Sequence, residues 1–423
     1  MSDNTAARVL ARGHTGRAAL VAVLTLFAVL AWPDPASADP PTAPLTTDPA
    51  DAAAGWLTGE LVDGEYLTSS FDADGNGEID PATEVSPDPG LTADAVLAFA
   101  AAGSAGDAAE AATDWLESQV AIYTGDGTTE SYAGALAKLI LVADVMGRDA
   151  ASFGGQDLLA RLGAQQSADG RFRDISTFGD FSSPITQSLA IIALDRAGPT
   201  GFPPASVDFL VGVQCADGGF VSDLSTLPCA IGDVDATALS VQALLVAGRE
   251  GEAGDAGAFL AGQQAADGSL GTAGAANSNS TGVAVPALRA LGQAEAAEKA
   301  AQWLLSVQSG PSEPAEERGA FAFDATGFDP LTATRATPQA VLGIAGVSLA
   351  ELVAPSDPDA YGLDGQDGAS GDGATGEGAA ASDESEGGWS LGVWLGVIVG
   401  VLVLGLVAVL ILRSRRSAAS PRP

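Results

Sequence analysis

A repeat with a period of roughly 45 to 50 residues runs through positions 52–350, and it restricts the fold of this chain more than any other feature. Three copies of the pattern Gln-x-x-Asp-Gly-x-Phe/Leu lie at 166–172, 214–220 and 264–270. Each copy follows an amphipathic stretch, so Asp-Gly predicts a helix end at which Gly takes the left-handed conformation and the apolar residue folds back. The pattern therefore indicates stacked supersecondary units with a structural role.

The other half of each unit is an Ala-rich, nearly uncharged segment that ends in Gly, as expected for a helix buried on every side. These segments are Leu91–Gly103, Tyr132–Gly147, Ile185–Gly198, Asp235–Gly248, Ser280–Gly292 and Thr332–Gly346. The more amphipathic segments between them are Ala52–Leu61, Ala108–Tyr123, Leu158–Gln166, Val207–Gln214, Ala256–Gln264 and Ala297–Gln308. Six buried and six outer helices predict an all-α fold, an (α/α)6 toroid of six helical hairpins over residues 52–354.

The first 38 residues have the pattern of an export signal. Arg8, Arg12 and Arg17 precede an apolar run from Ala18 to Trp32, and Ala36-Ser37-Ala38 provides small residues for cleavage. An uncleaved signal anchor is the alternative. Residues 39–51 would then form a linker to the toroid.

The other end of the sequence predicts a membrane anchor. Residues 355–388 are acidic and Gly-rich, a composition typical of an extended stalk. Residues 389–412 contain no charge and are long enough for a transmembrane helix, and the basic tail at 413–423 favours the cytoplasmic side. No LPxTG-like sorting pentapeptide precedes the apolar run. We therefore expect a single-pass, actinobacterial-style surface protein with an extracellular body.

Composition excludes several classes of function. The formal net charge is −36, which argues against nucleic acid as a partner. The sole histidine, His14, lies in the predicted signal, so triads and zinc sites that need an imidazole are excluded from the body. Cys215 and Cys229 predict one disulfide in an oxidising compartment, with a metal-binding pair as the alternative.

The three Gln-x-x-Asp-Gly motifs resemble the QW-type repeats of the prenyltransferase and squalene-cyclase superfamily, with Phe or Leu in place of Trp. Positions 52–350 as a whole resemble a single terpenoid cyclase-like α/α toroid of that group. The segment Asp233-Val-Asp235-Ala236-Thr237-Ala238 is similar to the Asp-x-Asp-Asp-Thr-Ala motif of class II terpenoid cyclases. This resemblance implies an enzyme in which Asp235 protonates an alkene beside Asp233, although Ala236 stands where the motif has its third Asp. The simpler interpretation makes these residues helix N-caps.

The Asp-x-x-Thr-Ala pattern is also loosely similar to the toroid of the intrinsic factor and transcobalamin group, which implies cobalamin as a ligand. Helix N-termini converge at one mouth of such a ring, where their dipoles favour acceptors. We therefore predict capture of a small molecule, with cobalamin as the leading candidate, for delivery to a membrane transporter. The cyclase-like enzyme and a protein- or glycan-binding module remain alternatives. The residues predicted to line this mouth are Thr92, Asp94, Gln187, Asp235, Thr237, Asn279 and Thr281.

A separate acidic loop resembles the start of an EF-hand calcium site. Its oxygen-bearing residues would be Asp72, Asp74, Asn76, Glu78 and Asp80. Thr83 occupies the position where a bidentate Glu is expected, and Glu84 follows one place late. Calcium binding and an acidic surface loop are both consistent with this pattern.

Overall fold

The computed structural model describes residues 44–73 and 79–364, and within these ranges the chain forms six outer and six inner helices. The outer helices are α1 (Pro49–Glu60), α3 (Gly106–Thr124), α5 (Leu158–Ala164), α7 (Pro204–Gly212), α9 (Glu250–Gln263) and α11 (Ala294–Ser306). The inner helices are α2 (Pro89–Ala102), α4 (Ala133–Val145), α6 (Pro184–Ala197), α8 (Val234–Val246), α10 (Ser278–Ala290) and α12 (Pro330–Ala345). Each segment predicted from the sequence overlaps one of these helices.

The inner helices form a closed ring. Each packs against the next in the order α2, α4, α6, α8, α10 and α12, and α12 packs back against α2. The outer helices cover this ring, and α1 contacts both α2 and α12 at the seam. The predicted toroid of helical hairpins is therefore confirmed.

Small residues allow the inner helices to approach each other closely. A Cβ atom added at Gly282 of α10 would lie 2.3 Å from the Gln339 carbonyl oxygen of α12. One added at Gly343 of α12 would lie 2.8 Å from the Cα of Gly282. Glycine at these two positions is thus required by backbone contact, which explains the Ala- and Gly-rich composition of the inner segments.

The Asp-Gly turns join neighbouring outer helices, but they lie several residues beyond the helix ends at which they were predicted, because α7 ends at Gly212 and α9 at Gln263. Gly218 and Gly268 have φ of 89° and 100°, and a Cβ atom on Gly268 would lie 2.3 Å from the Lys299 carbonyl oxygen of α11. The motif glutamine Gln264 donates to the carbonyl oxygens of Gly268 (3.0 Å) and Ala296 (2.8 Å). Each turn therefore holds the start of the next outer helix.

The same kind of turn closes the ring between its last and first repeats. Gln308 donates to the carbonyl oxygens of Gly319 (3.0 Å) and Pro49 (2.8 Å). Pro49 is the first residue of α1. The first outer helix therefore occupies the position that the next repeat would take in an open solenoid.

The end of the ring where the inner helices terminate is covered by the segment that follows α12. Gln242 near the end of α8 accepts hydrogen bonds from the Ser348 hydroxyl (3.0 Å) and the Leu349 N–H (2.9 Å). Arg196 of α6 donates to the Leu352 carbonyl oxygen at 2.7 Å. Residues 348–352, which we call the plug, therefore close this end.

The body extends beyond the predicted limits of 52 and 354. Strand β1 (Leu45–Thr46) pairs in parallel with β4 (Gly362–Leu363), and the Asp357 N–H donates to the Gly103 carbonyl oxygen at the end of α2. Residues 44–51, assigned to a linker, and 355–364, assigned to the stalk, thus pack on the closed end. The predicted signal at 1–38, the rest of the stalk, the apolar segment 389–412 and the tail 413–423 lie outside the described residues.

Two further features concern the loops. Cys215 and Cys229 form the predicted disulfide. The acidic loop connects two antiparallel strands, β2 (Thr68–Ser70) and β3 (Val85–Pro87), rather than a pair of helices.

In the part of the chain that the structure describes, no helix is both long and apolar enough to cross a membrane.

Candidate binding site at the mouth of the ring

Four of the residues predicted to line the mouth instead hold the inner helices to the outer layer. The Thr237 hydroxyl accepts the Phe220 N–H at 2.8 Å, and the Thr281 hydroxyl accepts the Leu270 N–H at 2.9 Å. Both threonines are fully buried. Their partners are the apolar residues that end the Asp-Gly turns, so these hydroxyls bind the protein's own backbone.

Thr92 and Gln187 are occupied in the same way. The Thr92 hydroxyl accepts the Leu67 N–H at 3.0 Å. The Gln187 side chain accepts the Phe172 N–H at 3.0 Å and donates to the Ser206 carbonyl oxygen at 2.8 Å. This geometry does not agree with the prediction that four of these side chains line the mouth. They point toward the outer layer, where they bond backbone groups: Thr92, Gln187, Thr237 and Thr281.

A different set of polar side chains links the inner helices to one another at the N-terminal end of the ring. Lys138 of α4 binds Asp94 of α2 at 2.7 Å, and Arg335 of α12 binds Asp88 before α2 at 3.3 Å. The Asn279 amide of α10 donates to the Arg335 carbonyl oxygen at 3.0 Å. The Ser280 side chain of α10 lies near the Asp235 carboxyl of α8 and acts to lower its pKa. We call Asp88, Asp94, Lys138, Asp235, Asn279, Ser280 and Arg335 the mouth belt.

Two oxygens of the mouth belt have no hydrogen-bond partner. Asp235 Oδ1 and Asn279 Oδ1 are both buried and unpaired, and they lie on the neighbouring helices α8 and α10. Burying an acceptor without a donor is unfavourable by about 1–3 kcal/mol. These two oxygens are therefore the atoms of the belt best suited to a donor supplied by a ligand.

Burial and charge also change the acidity of the belt. Burial, with the nearby Asp233 carboxylate, raises the pKa of Asp235 to about 6. Burial acts to lower the pKa of Lys138, but the adjacent Asp94 carboxylate outweighs it and raises the pKa above its usual value. Lys138 thus remains charged, whereas Asp235 changes protonation state near neutral pH.

Asp233, the other carboxylate of the cyclase-like segment, caps helix α8. Its Oδ1 accepts the Ala236 N–H at 2.9 Å, and its Oδ2 accepts the Thr272 hydroxyl at 2.7 Å. Both oxygens are therefore used by the fold. Of the two candidate acids, only Asp235 has an unpaired oxygen.

The loops and helix starts around the mouth carry exposed apolar side chains. Phe178 and Phe181 precede α6, Ile231 precedes α8, and Leu331 begins α12. Ile231 is 73% exposed and Leu331 is 58% exposed. These exposed apolar side chains lie on segments that lead into three of the inner helices.

The predicted calcium loop is only partly described. Asp74, Asn76 and Glu78 lie outside the described residues, whereas Asp72 and Asp80 lie within them. The Asp80 carboxylate accepts the Ala82 N–H at 2.9 Å and the Thr83 hydroxyl at 2.8 Å, and these two bonds lower its pKa. Over residues 44–73 and 79–364, no group of three or more His, Cys, Asp or Glu is arranged to hold a metal ion.

Comparison with solved structures supports the fold. The type II terpene cyclase MstE from Scytonema aligns with 70% of this chain and 96% of its own, at 15% identity and a TM-score of 0.51. A variant of MstE in complex with its substrate geranylgeranyl dihydroxybenzoate gives the same TM-score and identity over 71% of this chain. A protein from Actinoplanes aligns with 70% of this chain at 17% identity and a TM-score of 0.49. The sequence matches no family model and no curated protein. The alignments with MstE show that the chain has the terpenoid cyclase-like toroid fold.

Proposed function

We propose that the chain binds a small molecule at the mouth of its toroid and does not convert it. The observation that carries this proposal is the pair of buried, unpaired oxygens on Asp235 and Asn279. They call for a ligand that presents N–H or O–H donors, and the apolar residues around the mouth favour one that also has an apolar surface. Charged groups elsewhere in the belt are already paired with one another, so they hold this end of the inner helices together.

Cobalamin is the ligand that we propose first, on the sequence resemblance to the transcobalamin toroid. Its peripheral amide groups would supply the donors that the two oxygens lack. The test is calorimetric titration of the full-length protein with cyanocobalamin. We expect saturable binding that Asp235→Asn and Asn279→Ala weaken at least about tenfold, because each substitution removes or alters an acceptor. An absence of binding at micromolar concentrations would remove cobalamin as the ligand.

The place of the protein in the cell is part of the same proposal. We propose export by the segment 1–38 and anchoring by the segment 389–412, with the toroid outside the cell and the ligand passed to a membrane transporter. Protease treatment of intact cells should then release the toroid and leave a short membrane-bound fragment. A toroid that is degraded only after cell lysis would contradict an extracellular position.

A cyclase-like activity is the second candidate, and the pKa of Asp235 is the observation that favours it. A carboxylic acid that keeps its proton up to about pH 6 is a better proton donor near neutral pH than an ordinary aspartate. The protein would be incubated with geranylgeranyl dihydroxybenzoate, the substrate of MstE, and the products analysed by mass spectrometry and NMR. Cyclised product that disappears with Asp235→Asn would establish this activity and overturn capture without conversion.

A further inference from the structure

A cavity of about 420 Å³ borders the outer helix α5, and none of its lining residues belongs to the mouth belt. It is bordered by the connection between α3 and α4, by α5 and by the segment that follows α5. Its lining includes Ser131, Gln156, Asp157, Arg161 and Gln165. The volume is within the range of pockets that hold small molecules, about 300–1,000 Å³.

Gln165 is the most unusual residue of this cavity. The side chain is only 5% exposed, and neither its Oε1 nor its Nε2 has a hydrogen-bond partner. A buried amide with every polar atom unpaired destabilises a fold. Gln165 therefore presents one acceptor and two donor hydrogens for an occupant of the cavity.

Arg161 lies one helical turn before Gln165. Its guanidinium is held by neutral oxygens, among them the carbonyls of Thr124 at 3.0 Å and Gly125 at 3.1 Å. Its Nε is buried and has no partner. The arginine is thus fixed in place, and one of its donor hydrogens is unused.

Arg161 departs from the aromatic residue found at its position in three other repeats, and Gln165 departs from the valine found at its position in two of those three. Five positions before the motif glutamine, Arg161 corresponds to Phe209 in α7, Phe259 in α9 and Trp303 in α11. The last two are buried packing residues. At this position the repeat that contains α5 therefore has a cation where these three repeats have an aromatic side chain.

The position immediately before the motif glutamine shows the same change. In two other repeats the residue equivalent to Gln165 is valine, Val213 or Val307. In the repeat that contains α9 it is Gln263, the last residue of that helix. Val213 is buried, whereas Gln263 is partly exposed and so does not bury an unpaired amide. Arg161 and Gln165 lie one helical turn apart, and both border the same cavity. Two polar residues at these positions of a single repeat indicate a binding site rather than a packing defect.

We infer that this cavity binds a small zwitterion of the amino-acid class. The carboxylate would accept from the Arg161 Nε–H and from Gln165 Nε2, and the ammonium would donate to Gln165 Oε1 and to Asp157, which also borders the cavity. A ligand with no net charge is consistent with the strongly acidic chain, whose formal charge is −36. A polyanion would be repelled by that charge.

The test measures thermal unfolding of the full-length protein with each standard amino acid, followed by calorimetry with the amino acid that stabilises it most. We expect at least one to raise the Tm. The N-acetylated and amide-capped forms of that amino acid should bind at least about tenfold more weakly, because each lacks one of the two charges.

The decisive variant is Gln165→Val, which restores the side chain found in two other repeats. Without ligand it should raise the Tm by about 2–4 °C, because an unpaired buried amide is removed. It should also weaken amino-acid binding at least about tenfold. The matched control Gln263→Val changes the equivalent residue of another repeat and should leave that binding unchanged.

Two results would overturn the inference. One is that no amino acid binds the native protein although Gln165→Val is more stable, which would mean a water-filled cavity only. The other is that Gln165→Val binds as well as the native chain. The cavity and the mouth belt share no residue, so a negative titration with cyanocobalamin would not count against this site.

Discussion

Thr281 and Asn279 lie two residues apart on helix α10, yet they belong to different parts of the molecule. Thr281 is fully buried, and its hydroxyl is bonded to the backbone of the preceding Asp-Gly turn. Asn279 bonds the backbone of α12 with its amide nitrogen and leaves its Oδ1 unpaired. Polar side chains of the first kind assemble the ring, whereas those of the second kind leave bonding capacity for something else.

The contrast between paired and unpaired polar groups distinguishes structural residues from candidate binding residues, even though the ligand is not known. A polar group that the fold fully satisfies is explained by stability alone. A buried group that the fold leaves unsatisfied is explained only if another molecule satisfies it. Variants of the two kinds should therefore have opposite effects on stability and on binding.

The largest loss of stability is expected from the turns of the repeat. Gly268→Ala would force a Cβ atom to within 2.3 Å of the Lys299 carbonyl oxygen at a φ of 100°. We expect the free energy of unfolding to fall by about 4 kcal/mol, as measured by urea denaturation. Gly248→Ala is the control, since its φ is also positive at 66° but no atom lies near the added Cβ. Equal losses in the two variants would show that the contact with α11 is unimportant.

Asp235→Asn should give the next largest change in the free energy of unfolding, and this change should be an increase. The native pKa is about 6 against an ordinary 3.8, so the folded state holds a proton that the unfolded state has already lost. Stability therefore falls as pH rises through this interval, and the loss persists above it. The asparagine variant should be more stable than the native protein by about 2–3 kcal/mol near pH 8 and should lose this advantage near pH 4. A constant difference across that range would contradict the raised pKa.

The same titration separates the two proposed functions. A ligand that donates to the Asp235 carboxylate should bind more tightly as pH rises through about 6. A reaction that needs the protonated acid should become slower over the same interval. Profiles of binding and of turnover against pH would therefore distinguish capture from cyclisation.

Thr281→Val should destabilise the protein by about 1–2 kcal/mol, because it leaves the buried Leu270 N–H without an acceptor while preserving the side-chain shape. Binding at the mouth should not change. Urea denaturation and the cyanocobalamin titration would measure the two effects. A change in affinity with no change in stability would place Thr281 in the mouth after all.

Asn279→Ala is the matched partner of that variant and should have the smallest effect on stability, within about 0.5 kcal/mol. It loses the bond to the Arg335 carbonyl oxygen but also removes an unpaired buried oxygen, and these contributions oppose each other. Affinity for the mouth ligand should fall. A large loss of stability with unchanged affinity would make Asn279 a structural residue like Thr281.

The helices and the ring were predictable because their signals are local. An uncharged Ala-rich segment ending in Gly indicates a buried helix wherever it lies in the chain. The Asp-Gly turn at Gly268 likewise required only residues that are close in sequence. The disulfide between Cys215 and Cys229 was predictable because the chain contains no other cysteine.

The direction of individual side chains was not predictable in the same way. Side chains two residues apart on a helix point in directions that differ by about 200°. Thr281 therefore faces the outer layer, whereas Asn279 faces the neighbouring inner helix. Lys138 and Arg335 were missed because they lie about one helical turn inside their helices, beyond the terminal residues considered as a rim. Only the packing of three different inner helices brings them to Asp94 and Asp88.

The pairing of β1 with β4 has a consequence for how the molecule is presented. Residues 44 and 364 are brought close together on the plugged face, opposite the end of the ring at which the inner helices begin. If the chain is anchored through residues 389–412 as proposed, the tether would leave the body from residue 364 on the plugged face. That attachment would leave the N-terminal end of the ring uncovered by the tether.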